Sequence, residues 1–344
     1  MTANNTPRAC AAAPSTDQKV DFLSLPASYP DTTTVEVIET HMSWVFLTDY
    51  HAYKLKKPVR YSFLDFSTLE ARRRDCEEEL RLNRRLAGDV YIDTIALTVD
   101  AQGILHMEGH GETVDWLVKM RRLPGARMMD NAIRRHAITQ QEIHQVGEKL
   151  ALFYQQAAPE DMTPAEYRHR LSRYINENRQ ELQRPEYGLN PSTIHVITYA
   201  QLSLLTDKRW LFDQRIEQGH IIEAHGDLRP DHICLQDPPV IIDCLEFKRE
   251  FRLLDPADEL CFLAVECEWL GTKHIGDEIF NAYSQITGDT PDAHLIAFYK
   301  IYRACLRAKI ALWHTTDGTV QDHPKWFNKA QDYLRIAEIY TELL

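Results

Sequence analysis

The 344-residue chain has no apolar run approaching the roughly 20 residues of a bilayer-spanning helix, so no membrane partner is expected. It has no C-x-x-C pair among its seven cysteines, and the odd count supports neither a zinc ribbon nor a disulfide framework. Its opening MTANNTPRACAAAPSTDQK lacks the apolar core of a secretory signal and reads as a polar, poorly ordered tail over residues 1–20. Positive charge is also scarce. Lysine and arginine number 39 against 51 aspartates and glutamates, and the net charge of -12 argues against a general nucleic-acid binder. That balance is compatible with a cationic small substrate. No internal repeat or low-complexity tract interrupts the chain.

What is present is an ordinary globular mix, 44% hydrophobic and 26% charged, long enough for two lobes. Cys234, Cys261 and Cys267 stand in apolar stretches and read as buried thiols, which fits a reducing cytoplasmic setting. β-Branched and aromatic residues predict strands at Val35–Ile38, Trp44–Leu47 and Ala52–Lys56, the last stopped by Pro58. Ser67-Thr68-Leu69-Glu70 has the form of a capping box with Ser67 as cap, opening a helix to about Leu86. Leu69, Arg73, Cys76, Leu80 and Asn83 share one face of it, and Glu77 can pair with Arg81. Two further strands follow, Ile95–Val99 and Val114–Met120.

After Pro124-Gly125 the pattern turns helical, and the composition shift at Arg121–Gly125 marks a boundary between lobes. Thr139–Glu142 is a second capping box, with Ile143, Val146, Leu150 and Phe153 holding a helical period behind it. Helices are expected through Tyr167–Leu182 and Tyr199–Gln218, with Gly219 closing the latter and a loop over Pro185–Pro191. Asp255-Pro256 reads as a helix start closed by Gly271. On a later helix, Arg303, Arg307 and Lys309 beside an apolar stripe read as solvated or paired with acids such as Glu266.

The chemistry concentrates in Ile221–Phe247, IIEAHGDLRPDHICLQDPPVIIDCLEF. Short strands around the Pro238-Pro239 turn bring Asp227 and Asp243 to neighbouring positions. Two carboxylates so placed can divide labour, one orienting a hydroxyl and the other holding Mg²⁺ against phosphate oxygens.

The H-G-D-L-R-P-D-H segment followed by I-I-D resembles the catalytic centre of the aminoglycoside phosphotransferase family, which shares the protein-kinase-like fold. THMSWVFL, YKLKKPVRYSFLDFSTLEARR, CEEELRLNRRL and HGDLRPDHICL resemble a bacterial branch of it, in order over about residues 35–310. The resemblance implies an α+β protein with a small antiparallel β-sheet N-lobe over residues 21–119. A mainly helical C-lobe over 120–344 would carry the catalytic loop. It implies transfer of the γ-phosphate of ATP, or another nucleoside triphosphate, to a hydroxyl of a small molecule, with Mg²⁺ as cofactor. Asp227 matches the catalytic aspartate, Arg229 the position that faces the transferring phosphate, and Asp243 the Mg²⁺ ligand. Lys54 resembles the strand lysine that holds the α- and β-phosphates, with Lys56 in reserve. Glu79, with Glu78 close behind, is its candidate helix partner. Met120–Leu123 matches the hinge that binds adenine, and Asp258 the aspartate that braces the catalytic loop.

The sequence departs from that pattern in three places. The second metal ligand, an asparagine in the family, is here His232. The phosphate-covering hairpin Glu39–Ser43 has no glycine, so the side chains of Thr40, His41 and Ser43 would substitute for close backbone approach. Relatives in this branch sometimes carry a P-loop kinase-like domain, but no G-x-x-x-x-G-K-[ST] occurs here, leaving a separate P-loop chain as a candidate partner. Two rivals stand beside the phosphotransferase. One is a catalytically degenerate kinase fold that binds nucleotide or a partner; the other is a metal-dependent hydrolase using His225, Asp227, His232 and Asp243. Glu246 is open to either a substrate or metal contact or a plain strand-end carboxylate.

Overall fold

The computed structural model describes residues 14–61, 64–316 and 322–344, and the start of the expected tail, 1–13, lies outside them. The chain divides into two compact units. The first runs to Leu123 and takes in Glu246–Lys248; the second holds the rest.

The first unit opens with a helix, α1 (Thr16–Ser24), where a tail is expected. Ser15 and Gln18 form a reciprocal capping box, and Leu23 is driven into the core, so this stretch has both a cap and a buried anchor. The strands β1 (Glu36–Glu39), β2 (Ser43–Leu47) and β3 (His51–Lys56) come next. The short pair β4 (Arg60–Tyr61) and β5 (Leu64–Asp65) precedes the long helix α2 (Leu69–Ala87). The unit closes with β6 (Tyr91–Val99), β7 (Leu105–Met107) and β8 (Glu112–Arg121). An antiparallel six-stranded sheet has the order β1-β2-β3-β8-β6-β7.

Side chains alternate across a strand, and β3 uses both faces. Tyr53 and Leu55 join the cluster of Leu23, Tyr29, Phe46, Leu97 and Leu117, while Lys54 and Lys56 project to the side where α2 packs. The cap of α2 is Thr68, not Ser67. Asp65 accepts both the amide and the hydroxyl of Ser67, which leaves Thr68 to accept from the Ala71 amide. Arg72 rather than Arg73 is on the buried face, and the surface pairs are Arg73–Glu77 and Arg81–Glu78.

The second unit begins at Pro124, because β8 continues to Arg121 beyond the expected end of the N-lobe. Its helices are α3 (Met129–Arg134), α4 (Gln140–Gln156), α5 (Pro164–Leu182), α6 (Pro191–Asp207) and α7 (Trp210–Glu217). The expected single helix Tyr199–Gln218 is therefore broken near Lys208, and Pro191 is the first residue of α6 rather than the end of a loop. Four two-residue strands follow: β9 (Ile222–Glu223), β10 (Ile233–Cys234), β11 (Val240–Ile241) and β12 (Leu253–Leu254). The unit ends with α8 (Pro256–Trp269), α9 (Lys273–Thr287), α10 (Ala293–Thr316) and α11 (His323–Thr341). Asp255 caps α8 by accepting from the Ala257 amide. Among the described residues, no helix is long and apolar enough to cross a membrane, and the six cysteines there are buried.

Candidate active site

In the second unit, β10 and β11 pair in register Ile233↔Ile241 and Cys234↔Val240, and the Ile242 amide donates to the His232 carbonyl. This pairing sets Asp243 beside the loop that carries Asp227. Both carboxylates flank one imidazole: His232 Nδ1 is 3.6 Å from Asp227 Oδ2, and Nε2 is 3.5 Å from Asp243 Oδ2. Asp243 adopts φ 59°, a left-handed conformation that aspartate tolerates better than most side chains, and its carboxylate is 43% exposed. Gly226 has φ 90°, and a Cβ there would meet Leu245 Cβ and the Phe251 carbonyl at 3.2 Å, so the loop requires glycine.

The loop is held from below by Glu259, not by the expected Asp258. Glu259 accepts the amides of His225 (2.9 Å) and Gly226 (2.6 Å) on Oε1 and the Tyr154 hydroxyl on Oε2 (2.8 Å). Asp258 instead faces Arg303, which donates from Nε at 2.6 Å and Nη2 at 2.8 Å. Neighbours in the first turn of a helix point about 100° apart, so only one of these two acids can face the loop. Burial raises the carboxyl pKa of both. Arg307 pairs with Glu266, as the sequence suggests, and both are buried.

The two histidines have no free ring nitrogen. His225 is fully buried; its Nε2–H donates to the Ile242 carbonyl (2.8 Å), and its Nδ1 accepts from the Asp227 amide (3.3 Å). Burial, reinforced by His232, pushes its pKa down to about 4. His232 Nδ1 faces the Asp227 carbonyl at 2.8 Å and so must donate there, which leaves Nε2 to accept from Arg229 Nη2 (2.7 Å). A metal ion on His232 would have to displace Arg229, and Mg²⁺ prefers oxygen, so the arrangement does not fit His232 as a ligand. Asp243, an accessible carboxylate, does fit. The hydrolase rival loses both of its histidine ligands for the same reason. Arg229 itself lies between Asp227 (Nε to Oδ1, 3.2 Å) and Asp231 (Nη1 to Oδ2, 3.3 Å).

In the first unit, Lys54 Nζ is 2.9 Å from Glu79 Oε1, the lysine–helix-acid pair the resemblance implies. Lys56 is more than a reserve. It is 1% exposed and reaches Glu79 Oε2 (2.6 Å), Asp75 Oδ2 (2.5 Å) and Glu246 Oε1 (2.5 Å). Asp75 and Glu79 are one helical turn apart on α2, which is why both meet it. Burial acts to lower the ammonium pKa, but Glu246, Glu79 and Asp75 outweigh it and hold Lys56 well above the ordinary lysine value. Burial pushes Asp75 up to about 7 against the pull of Lys56. The three carboxylates converge as a cation site does, and the cation is Lys56 itself. Glu246 is thereby placed as an ion-pair partner.

Thr40 and Ser43 shape their own turn. The Thr40 hydroxyl accepts the Ser43 amide (2.9 Å) and lies 2.9 Å from the Ser43 hydroxyl, so both groups are engaged within the hairpin. Met120 is in the middle of the sheet, paired with Ala52 and Tyr91, and its main chain belongs to the ladder; Leu123 follows the strand end. Glu259, Tyr154 and Asp75 were not singled out by sequence. Only the acidic first turn of α8 hinted at the first of them.

This architecture, an antiparallel sheet unit and a mainly helical unit with paired aspartates on a short-stranded loop, is the aminoglycoside phosphotransferase-like, protein-kinase-like fold. Among solved structures, the choline kinase of Cryptosporidium parvum matches with a TM-score of 0.56 at 9% identity, over 95% of this chain and 97% of that one. A choline/ethanolamine kinase family protein of Mesorhizobium loti matches at 0.53 and 14% identity, over 94% and 98%. The aminoglycoside 2'-phosphotransferase-IIIa, solved as a GDP complex, matches at 0.51 and 13%, over 93% and 98%. In sequence, the chain is 35% identical over 287 residues to the uncharacterized proteins Rv2004c of Mycobacterium tuberculosis and Mb2027c of Mycobacterium bovis. The match covers 83% of this chain but 56% of theirs, so the chain spans about half the length of these curated relatives. No family model matches the chain.

Proposed function

We propose that the protein is a Mg²⁺-dependent phosphotransferase that moves the γ-phosphate of ATP, or of another nucleoside triphosphate, to a hydroxyl of a small molecule. The observation that carries this reading is the placement of Asp227 and Asp243 against opposite nitrogens of one buried imidazole. Asp227 accepts a hydrogen bond from the acceptor hydroxyl and fixes its direction of attack. As the acceptor oxygen bonds to phosphorus, the bond to the nucleoside diphosphate breaks and the hydroxyl proton passes to the Asp227 carboxylate. The products are a phosphate ester and the diphosphate. Arg229, held by Asp227 and Asp231, supplies fixed positive charge beside the transfer. Lys54, oriented by Glu79, would engage nucleotide phosphates. A divalent cation on Asp243 would neutralise charge on the phosphate oxygens. Positioning and charge do the work, without a covalent intermediate.

Calorimetry with ATP or GTP, with and without Mg²⁺, tests the reading. Binding that requires Mg²⁺ and is lost in Asp243→Ala supports it. Transfer should fall by at least about 10³-fold in Asp227→Ala, with the fold retained. Wild-type transfer in that variant would sink the assignment. The engaged nitrogens of His232 and hydroxyls of Thr40 and Ser43 favour a second reading, a degenerate fold that binds nucleotide without turnover. Metal-independent binding kept by Asp243→Ala, with no acceptor phosphorylated, would select it.

A further inference from the structure

Beside the catalytic loop, the second unit holds a lysine in an aromatic box. Lys329, on α11, places Nζ 4.0 Å from the ring centre of Trp269, 5.6 Å from Trp326 and 5.9 Å from Tyr333. Among the described residues its ammonium makes no ion pair and no hydrogen bond. The acids in its field are already engaged. Glu266 binds Arg307 at 2.7 Å and the Tyr333 hydroxyl at 2.7 Å, and Asp231 faces Arg229. Arg307 and Arg229 add positive charge to its surroundings, and Arg307 also lies over Tyr333, at 5.7 Å. Lys329 and the two tryptophans are half-buried, so a small molecule can reach them.

An aromatic box of this kind is the usual receptor for a cation. Here the protein supplies the cation itself, and an incoming ammonium would meet Lys329 with Arg307 behind it. A half-buried ammonium with three donors and no acceptor is instead an incomplete oxyanion site. We propose that Lys329 recognises an anionic oxygen group, carboxylate or phosphate, on the acceptor. The acceptor is then a hydroxyl compound bearing negative charge, the reverse of what the acidic net charge suggests. This rests on Asp227 being the group that orients the acceptor.

Burial, with Arg307 next, lowers the Lys329 pKa to about 8, opposed by Glu266 and Asp231. Anion binding should therefore weaken in alkali. The test titrates glycerol 3-phosphate, glycerate and choline into the full chain by calorimetry, with ADP and Mg²⁺ present. The two anions distinguish phosphate from carboxylate, and either one bound in preference to choline supports the proposal. Lys329→Met should weaken that binding about tenfold or more, and Lys329→Arg should largely retain it. Wild-type affinity should fall between about pH 7 and pH 9.5 as the ammonium is lost, a dependence Lys329→Met should not show. Choline bound in preference to both anions, anions bound equally by Lys329→Met, or no anion bound at all would overturn it. ADP binding is followed in the same samples. Its absence, with Lys329-dependent anion binding intact, would remove the phosphotransferase reading and leave the anion site standing.

Discussion

The second unit and the lysine cluster of the first bury charge in opposite ways, although Asp115 in the first unit is also paired, with Arg72 and Lys19. In the second unit, each buried acid but one faces an arginine: Asp255 with Arg215, which also holds Asp289, Asp258 with Arg303, and Glu266 with Arg307. Glu259, the exception, is held by neutral donors. In the first unit, Lys54 and Lys56 face Asp75, Glu79 and Glu246, so two ammonium groups serve three carboxylates. Bidentate arginine pairs give a scaffold that holds the candidate loop fixed. An unbalanced cluster instead has a proton to gain or lose, and Asp75 is where it resides.

The largest effects should come from removing one cation on each side. Arg303→Met strands Asp258, which is 1% exposed, and should cost about 3–5 kcal/mol of stability. Lys56→Met strands three acids, but Asp75 can take up a proton and Lys54 still holds Glu79. Its cost should therefore be clearly smaller at about pH 5.5 than at about pH 8, and below that of Arg303→Met at both. Urea denaturation at both pH values measures this. A cost of Lys56→Met as large as that of Arg303→Met at about pH 5.5 would erase the distinction between paired acids and an unbalanced cluster.

The same contrast explains what the sequence makes legible. Alternation in β3 puts Lys54 and Lys56 on one face, and the glutamate run in α2 puts an acid within reach. It does not say that one glutamate would serve both lysines, or that Glu246, far along the chain, would join them. The H-G-D and I-I-D segments mark the candidate catalytic loop, since the residues that carry the resemblance are close in sequence. Its brace was misplaced by one residue, because Asp258 and Glu259 differ only in which way a helix turn points them. The break between α6 and α7 carries no glycine or proline, and β7 is three residues long. Neither leaves a periodic signal.

A smaller effect separates the units by the sign of their pH response. Asp75 is raised in the fold to about 7 from 3.8, so its ionisation opposes folding, and the first unit should lose stability as pH rises from about 4 to 7. His225 is lowered to about 4 from 6.5, so the unfolded chain binds its proton more readily, and the second unit should gain stability over about pH 4 to 6.5. Each contribution is a few kcal/mol at most. Hydrogen exchange resolves the two units separately. Asp75→Asn should flatten the slope in the first and leave the second unchanged. Parallel slopes in the wild type would mean that neither group controls its unit.

The smallest effect concerns the start of α2, which carries Asp75 and Glu79 to Lys56. Ser67 and Thr68 are adjacent hydroxyls, and either could cap by composition alone. Asp65 decides between them by accepting both donors of Ser67. Thr68→Ala should therefore cost about 1 kcal/mol, and Ser67→Ala no more than about 0.5 kcal/mol, in paired denaturation curves. In an Asp65→Ala background Ser67 is released, and the capping box with Glu70 becomes available to it. The penalty of Thr68→Ala should then shrink, because a second cap can take over one residue earlier. An unchanged penalty would show that the helix start is fixed by the packing of α2 against β6 and β8 and not by competition for the cap.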